Sequence, residues 1–216
     1  MADKGYNMNQ LPSIYVLNDL PSLGEIGEKT KSIFNIECAT CNRRTIEYNP
    51  FSYVFARWNG EDLISVAGNE YFVSKRLKLE LEPKVKDLVN FVPIINEKKE
   101  YFKMGKSAYQ KTIPPFFRLE ITHNIDGPEL WWERNEQCPA CGKYKWWPTL
   151  KGIESTITSA PTATYTPRQV YFKDWKGEAI FNLNDPGKPI VTQEFIDTVN
   201  NVCIKKIKLK PAEWVL

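Results

Sequence analysis

Two Cys-x-x-Cys pairs, Cys38/Cys41 and Cys138/Cys141, constrain this chain more than any other feature, because they take four of its five cysteines. Two thiolates held two residues apart on a tight turn point into one space, and a second such turn completes a tetrahedral ligand set about 2.3 Å from a zinc ion. The spacing therefore predicts one structural Zn(Cys)4 site, closed by turns that lie about a hundred residues apart in the sequence. The second turn reads Cys138-Pro139-Ala140-Cys141-Gly142, with proline to stiffen it and glycine to take a positive φ after the last thiolate. The first reads Cys38-Ala39-Thr40-Cys41-Asn42, where asparagine is the next best residue for the left-handed position.

Three other uses of these cysteines compete: redox dithiols, two disulfides, or thiols with no role. A redox pair needs a low-pKa thiolate at a helix start, whereas Lys143-Tyr144-Lys145-Trp146-Trp147, stopped by Pro148, reads as a strand. Disulfides suit secreted chains, and the start Met1-Ala2-Asp3-Lys4-Gly5-Tyr6 lacks the apolar region of a secretory signal. No apolar run reaches the roughly 20 residues of a membrane-crossing helix. The expectation is a reducing, cytoplasmic setting with no membrane partner.

The aromatic content is high, with 7 Trp, 10 Tyr and 11 Phe among 216 residues, and little of the chain reads as long amphipathic helix. That balance favours an α+β fold dominated by antiparallel sheet. Lys and Arg outnumber Asp and Glu by only 29 to 26, so charge gives no support to nucleic acid as a partner.

The chain also resembles itself. Trp58-Asn59-Gly60-Glu61-Asp62-Leu63 is similar to Trp175-Lys176-Gly177-Glu178-Ala179-Ile180, and after a one-residue insertion the likeness continues. Val73-Ser74 falls on Val191-Thr192, Leu77 on Phe195, Leu81 on Val199, Val89 on Ile207, Phe91 on Leu209 and Pro93 on Pro211. Each copy has a Cys-x-x-Cys upstream of its tryptophan. The expectation is two similar units, 1–97 and 98–216, packed as one globule and bridged by the shared metal.

Within each unit, Ser74 and Thr192 are predicted N-caps of short helices, about 75–82 ended by Pro83 and about 193–200. A strand should follow each. In the second unit Ile207 and Leu209 should face the core while Lys206, Lys208 and Lys210, near Lys205, face water. Cys203 aligns with Val85, which predicts a small buried side chain outside the metal site. His123, the only histidine, ends the alternation Phe117-Leu119-Ile121-His123 of a strand over about 116–123, and is expected to be neither ligand nor catalyst. Residues 97–100, 105–107 and 159–164 read as connections. No catalytic or nucleotide-binding pattern is present, so a non-enzymatic protein is expected.

Trp131-Trp132 and Trp146-Trp147 flank the second turn. One tryptophan of each pair is expected to pack over the metal site and its neighbour to stay partly exposed. The four residues are also the candidate partner-binding surface, since exposed tryptophans often carry binding energy.

With its motifs Cys38-Ala39-Thr40-Cys41 and Cys138-Pro139-Ala140-Cys141-Gly142, and the recurring strand, Val-Ser/Thr, short helix, strand and proline at 73–93 and 191–211, the chain resembles the double-CXXCG motif family. The likeness spans roughly residues 30–216, and Asn42 departs from the family's glycine. That family consists of bacterial immunity proteins that neutralise polymorphic toxins. The resemblance implies a binding protein whose partner is a cognate toxin domain encoded nearby. A zinc-ribbon adaptor for nucleic acid or a protein machine, using Lys143, Lys145 and the C-terminal lysines for phosphate, is the alternative.

Overall fold

The computed structural model describes residues 11–216 apart from 19, 67–69, 86, 98–112, 157–164, 204–206 and 208. Lys206, Lys208, Lys205 and most of the expected connections at 97–100, 105–107 and 159–164 lie outside the described residues. The fold is rich in antiparallel sheet, as the aromatic content and the scarcity of long amphipathic helix predict. No helix among the described residues is long and apolar enough to cross a membrane.

In chain order the strands are β1 (Ile14–Val16), β2 (Gly24–Ile26), β3 (Ser32–Cys38), β4 (Arg43–Tyr48), β5 (Ser52–Phe55), β6 (Leu63–Val66), β7 (Glu70–Ser74), β8 (Val89–Pro93), β9 (Ile95–Glu97), β10 (Phe116–Ile121), β11 (Asn124–Ile125), β12 (Trp132–Gln137), β13 (Tyr144–Pro148), β14 (Arg168–Tyr171), β15 (Ile180–Leu183), β16 (Ile190–Thr192) and β17 (Lys210–Val215). Helix α1 (Lys75–Leu81) follows β7, α2 (Leu150–Thr156) follows β13, and α3 (Gln193–Val202) follows β16. They form a six-stranded sheet, β11-β15-β16-β1-β17-β14, a four-stranded sheet, β6-β7-β10-β8, a three-stranded sheet, β2-β5-β9, and two separate ribbons, β3-β4 and β12-β13. Parallel pairing among the described residues is confined to β5·β9, β11·β15 and β14·β17.

The sheets do not follow the expected division at residue 97. Strand β1 lies between β16 and β17, with Tyr15 opposite Val191 and Pro211. Strand β10 lies between β7 and β8, with Phe117 opposite Val73 and Pro93. Each half therefore receives its middle strand from the segment that precedes the other half's cysteine ribbon. The helices begin alike: Lys75 N donates to Pro115 O and Gln193 N to Ser13 O, both at 2.9 Å.

The tryptophan turns also share their bonding. Trp58 Nε1 donates to Glu61 O at 2.8 Å and Trp175 Nε1 to Glu178 O at 2.9 Å. The glutamate carboxylates accept from the backbone of Asn59 and Lys176, each at 2.6 Å. Gly60 (φ 95°) and Gly177 (φ 103°) hold the left-handed position between them, and at Gly177 the backbone angle alone demands glycine, since a Cβ there would meet nothing.

The two caps differ. Ser74 Oγ accepts from Leu77 N at 3.2 Å while donating to the buried Asp62 carboxylate at 2.5 Å, which turns the hydroxyl's lone pairs toward the helix. Thr192 faces Ala179 where Ser74 faces Asp62; its hydroxyl donates to Ala179 O at 3.4 Å, and it makes no side-chain cap. Helix α3 runs two residues past the expected end.

A central core joins both halves: Leu77, Leu81 and Leu119 pack with Val191, Phe195 and Val199, and α1 lies against α3. The outer faces close over separate cores, Phe51, Tyr53 and Phe72 on one side, Val170, Phe181 and Ile190 on the other. Both faces of β10 are thus buried, Phe116 against one core and Leu119 against another. The buried Arg118 on this strand is matched by Glu120 and lies 3.9 Å from Glu70. Ile207 and Leu209 pack against the central core as their alternation predicts, though β17 begins only at Lys210. Cys203 is half-buried against the same core, and burial pushes its thiol up to about 11.

Candidate metal centre

The two cysteine turns are the tips of the two ribbons. In β3-β4, Phe34 pairs with Ile46 and Ile36 with Arg44, and the register shifts between Ile36 and Cys38. In β12-β13, Arg134 pairs with Trp146, and the register shifts between Arg134 and Gln137. Each ribbon is therefore bulged just before its first cysteine, which increases local twist and re-aims the turn. Asn42 (φ 52°) and Gly142 (φ 68°) follow the second cysteines in the left-handed region, as the sequence predicts for both. Cys138 N donates to Lys143 O at 3.0 Å and Gly142 N to Cys138 O at 2.9 Å, closing the second turn.

The turns meet sulfur to sulfur. Cys38 and Cys138 have Sγ atoms 3.8 Å apart, as do Cys41 and Cys141. All four sulfurs lie within 4.8 Å of one another, and all five cysteines are thiols. Sulfurs about 2.3 Å from a tetrahedral centre stand about 3.8 Å apart, so the donor set fits a thiophilic ion such as zinc. Cys38, Cys41, Cys138 and Cys141 are the residues that could hold it. Arg43 Nη2 donates to Tyr144 O at 2.9 Å, and Lys143 lies 3.5 Å from Glu37, so contacts beyond sulfur also join the ribbons.

The thiols are electrostatically unequal. Hydrogen bonding from the Cys41 backbone, opposed by burial, draws Cys38 down to about 6. Cys138 is lowered by the backbone N–H groups of Cys141 and Ala140. At Cys141 the Lys143 N–H lowers the value, but burial and the neighbouring thiols outweigh it and push the group up to about 11. One thiol is thus ready to ionise near neutrality while a neighbour holds its proton until a cation displaces it. Lys145 is held protonated by Glu136, 2.9 Å away, and by the charges of Cys41 and Cys138.

His123 stands apart from this cluster. It lies just past β10, with Nε2 3.0 Å from Glu178 Oε1. The four tryptophans divide differently from the expectation. Trp131 is only 6% exposed; its Nε1 donates to Thr166 O at 2.9 Å, and it packs edge-on to Tyr165 under the Arg168 guanidinium. It therefore cannot offer a docking surface, and these neighbours place it against the β14 side rather than over the sulfurs. Trp132 and Trp146 are half-buried, with Arg134 stacked 5.4 Å over the Trp146 ring, and Trp147 is 57% exposed.

Sequence reasoning missed the buried pair beside Trp131. Arg168 reaches Asp185, and a Cβ at Gly187 would fall 1.7 Å from Arg168 Nη1, so any larger residue there would have to displace the guanidinium. Extending the internal repeat upstream of Trp175 would have flagged Arg168, because it falls on the equally buried Phe51. Comparison with protein-family models, curated proteins and solved structures finds no match for this chain.

Proposed function

We propose that this chain is a cytoplasmic immunity protein that binds and neutralises a cognate bacterial toxin domain encoded nearby, and that it does so without catalysis. The carrying observation is the meeting of the two Cys-x-x-Cys ribbons at four sulfurs, the feature on which the likeness to the double-CXXCG immunity family rests. In this reading the ion is a structural zinc that clamps two copies of one duplicated unit. Equal bonding at Trp58 and Trp175 and equal registers around β1 and β10 support the duplication. A clamped scaffold loses less entropy on binding than a mobile one. Trp147, with the half-buried Trp132 and Trp146, is the surface assigned to the toxin.

Bonding around the metal turns argues against phosphate as the ligand. Lys145 is engaged by Glu136 and Lys143 lies close to Glu37, so two lysines of the adaptor alternative already have acidic neighbours. Co-expression with the toxin encoded beside it is expected to restore growth, through a complex that survives about 0.3 M salt. Trp147→Ala should weaken that complex about tenfold or more while leaving metal content unchanged. Binding that vanishes between low and physiological salt, or binding of DNA in place of a protein, would favour the zinc-ribbon adaptor instead.

A further inference from the structure

The two ribbons treat their open edges differently. Strand β12 carries Glu133, Arg134 and Glu136, and β13 carries Lys145; charges of this kind keep an exposed edge from pairing with another chain. Strand β3 has no charge from Ser32 to Ile36, and every residue before Cys38 is exposed. Phe34 is 61% and Ile36 63% exposed, on one face with the exposed Ile46 opposite Phe34. Among the described residues only β4 pairs with β3. From Ser32 to Ile36 the edge is uncharged and apolar, with the bulge and Glu37 lying beyond it, and such a stretch is a template for another strand.

We propose that the β3 edge is covered by β3 of a second copy, antiparallel about a two-fold axis at Phe34, giving a continuous sheet β4-β3-β3-β4 across a homodimer. Such an axis places opposite one another residues whose numbers sum to twice that of the axial residue, and so keeps side chains of one face together. Phe34 then meets Phe34 of the second copy, Ile36 meets Ser32, and Ile33 meets Asn35. The same register brings Lys31 near Glu37 of the second copy at both ends of the paired segment, where Glu37 sits at the bulge and also has Lys143 of its own chain 3.5 Å away. No like charges oppose, and the central pair is aromatic, an arrangement favourable across strands. The outer edge of β4 is a poorer candidate, with Arg43, Arg44 and Glu47 in six residues. This proposal is independent of the toxin reading.

A pairing of two short strands buries less than a standard interface, so the dimer should dissociate in the micromolar range, roughly 1–50 µM. Sedimentation equilibrium from about 1 to 300 µM should show a reversible monomer–dimer transition. Phe34→Lys should be monomeric throughout, with little change in thermal midpoint or metal content, because Phe34 is 61% exposed and belongs to none of the three apolar cores of the described residues. Lys31→Glu should weaken dimerisation about fivefold or more, Glu37→Lys likewise, and the double exchange should recover much of the loss. A wild-type monomer at all concentrations, a dimer untouched by Phe34→Lys, or no recovery in the double exchange would each overturn the proposal.

Discussion

Cys138→Ser is expected to abolish metal retention and to lower the thermal midpoint by about 10 °C or more. Structural zinc contributes roughly 10–16 kcal/mol in small fingers that have no other core. Here three apolar cores lie outside the ribbons, so the loss should fall on the β3-β4 and β12-β13 ribbons and the contacts that join them. Elemental analysis of untagged protein should give about one zinc per chain for the wild type and much less for the variant. Chelation should lower the wild-type midpoint to that of the variant and leave the variant unmoved. Cys203→Ser is the control: its sulfur lies against the central core, so the metal should remain. The pH dependence has a definite sign. Cys141, pushed up to about 11, holds its proton near neutrality and must release it to bind the ion, so metal-dependent stability is lost as pH falls. Metal-free wild-type protein whose stability chelators do not change would remove the basis for a structural site.

The cysteine turns were legible because their chemistry is local: the two-residue spacing fixes where each pair of thiolates can point, and Asn42 and Gly142 answer the left-handed angle after each. Helices α1 and α3 were legible for the same reason, each beginning after a hydroxyl residue at the end of a strand. The exchange of β1 and β10 was not legible. Strand β1 is three residues long, too short for periodicity to register, and alternation names the buried face of a strand without naming its neighbours. Trp131 shows a related limit. Trp131 lies in the bend just before β12 rather than on the strand, so strand alternation does not set its direction, which depends on an element elsewhere, the segment of Thr166 and Arg168. Thr192 is the N-cap residue the sequence predicts, but its hydroxyl makes no bond to the helix; it points to Ala179 O, where Ser74 has the Asp62 carboxylate, a difference set by a residue distant from the cap in sequence.

Arg168→Met should destabilise the protein by about 3–5 kcal/mol, since breaking a buried pair leaves one charge without compensation. The arginine is 2% exposed, bonded to Asp185 and stacked 5.2 Å over Trp131. Burial already pushes the Asp185 carboxyl above its ordinary value, and Arg168 opposes that rise. Without the guanidinium the carboxyl should move further up. A carboxyl raised in the folded state binds more protons there than in the unfolded chain, so its contribution is most favourable below the unfolded value and is lost as pH rises through the folded one. The deficit of Arg168→Met should therefore be greatest near neutrality and shrink as pH falls into the carboxylate range. Chemical denaturation of wild type and variant across that range measures it. Adding Asp185→Asn to Arg168→Met removes the stranded charge and should recover part of the loss at neutral pH, with little change in acid. A deficit that stays constant with pH, and that the second substitution leaves intact, would mean that Arg168 acts through packing on Trp131 rather than through its charge.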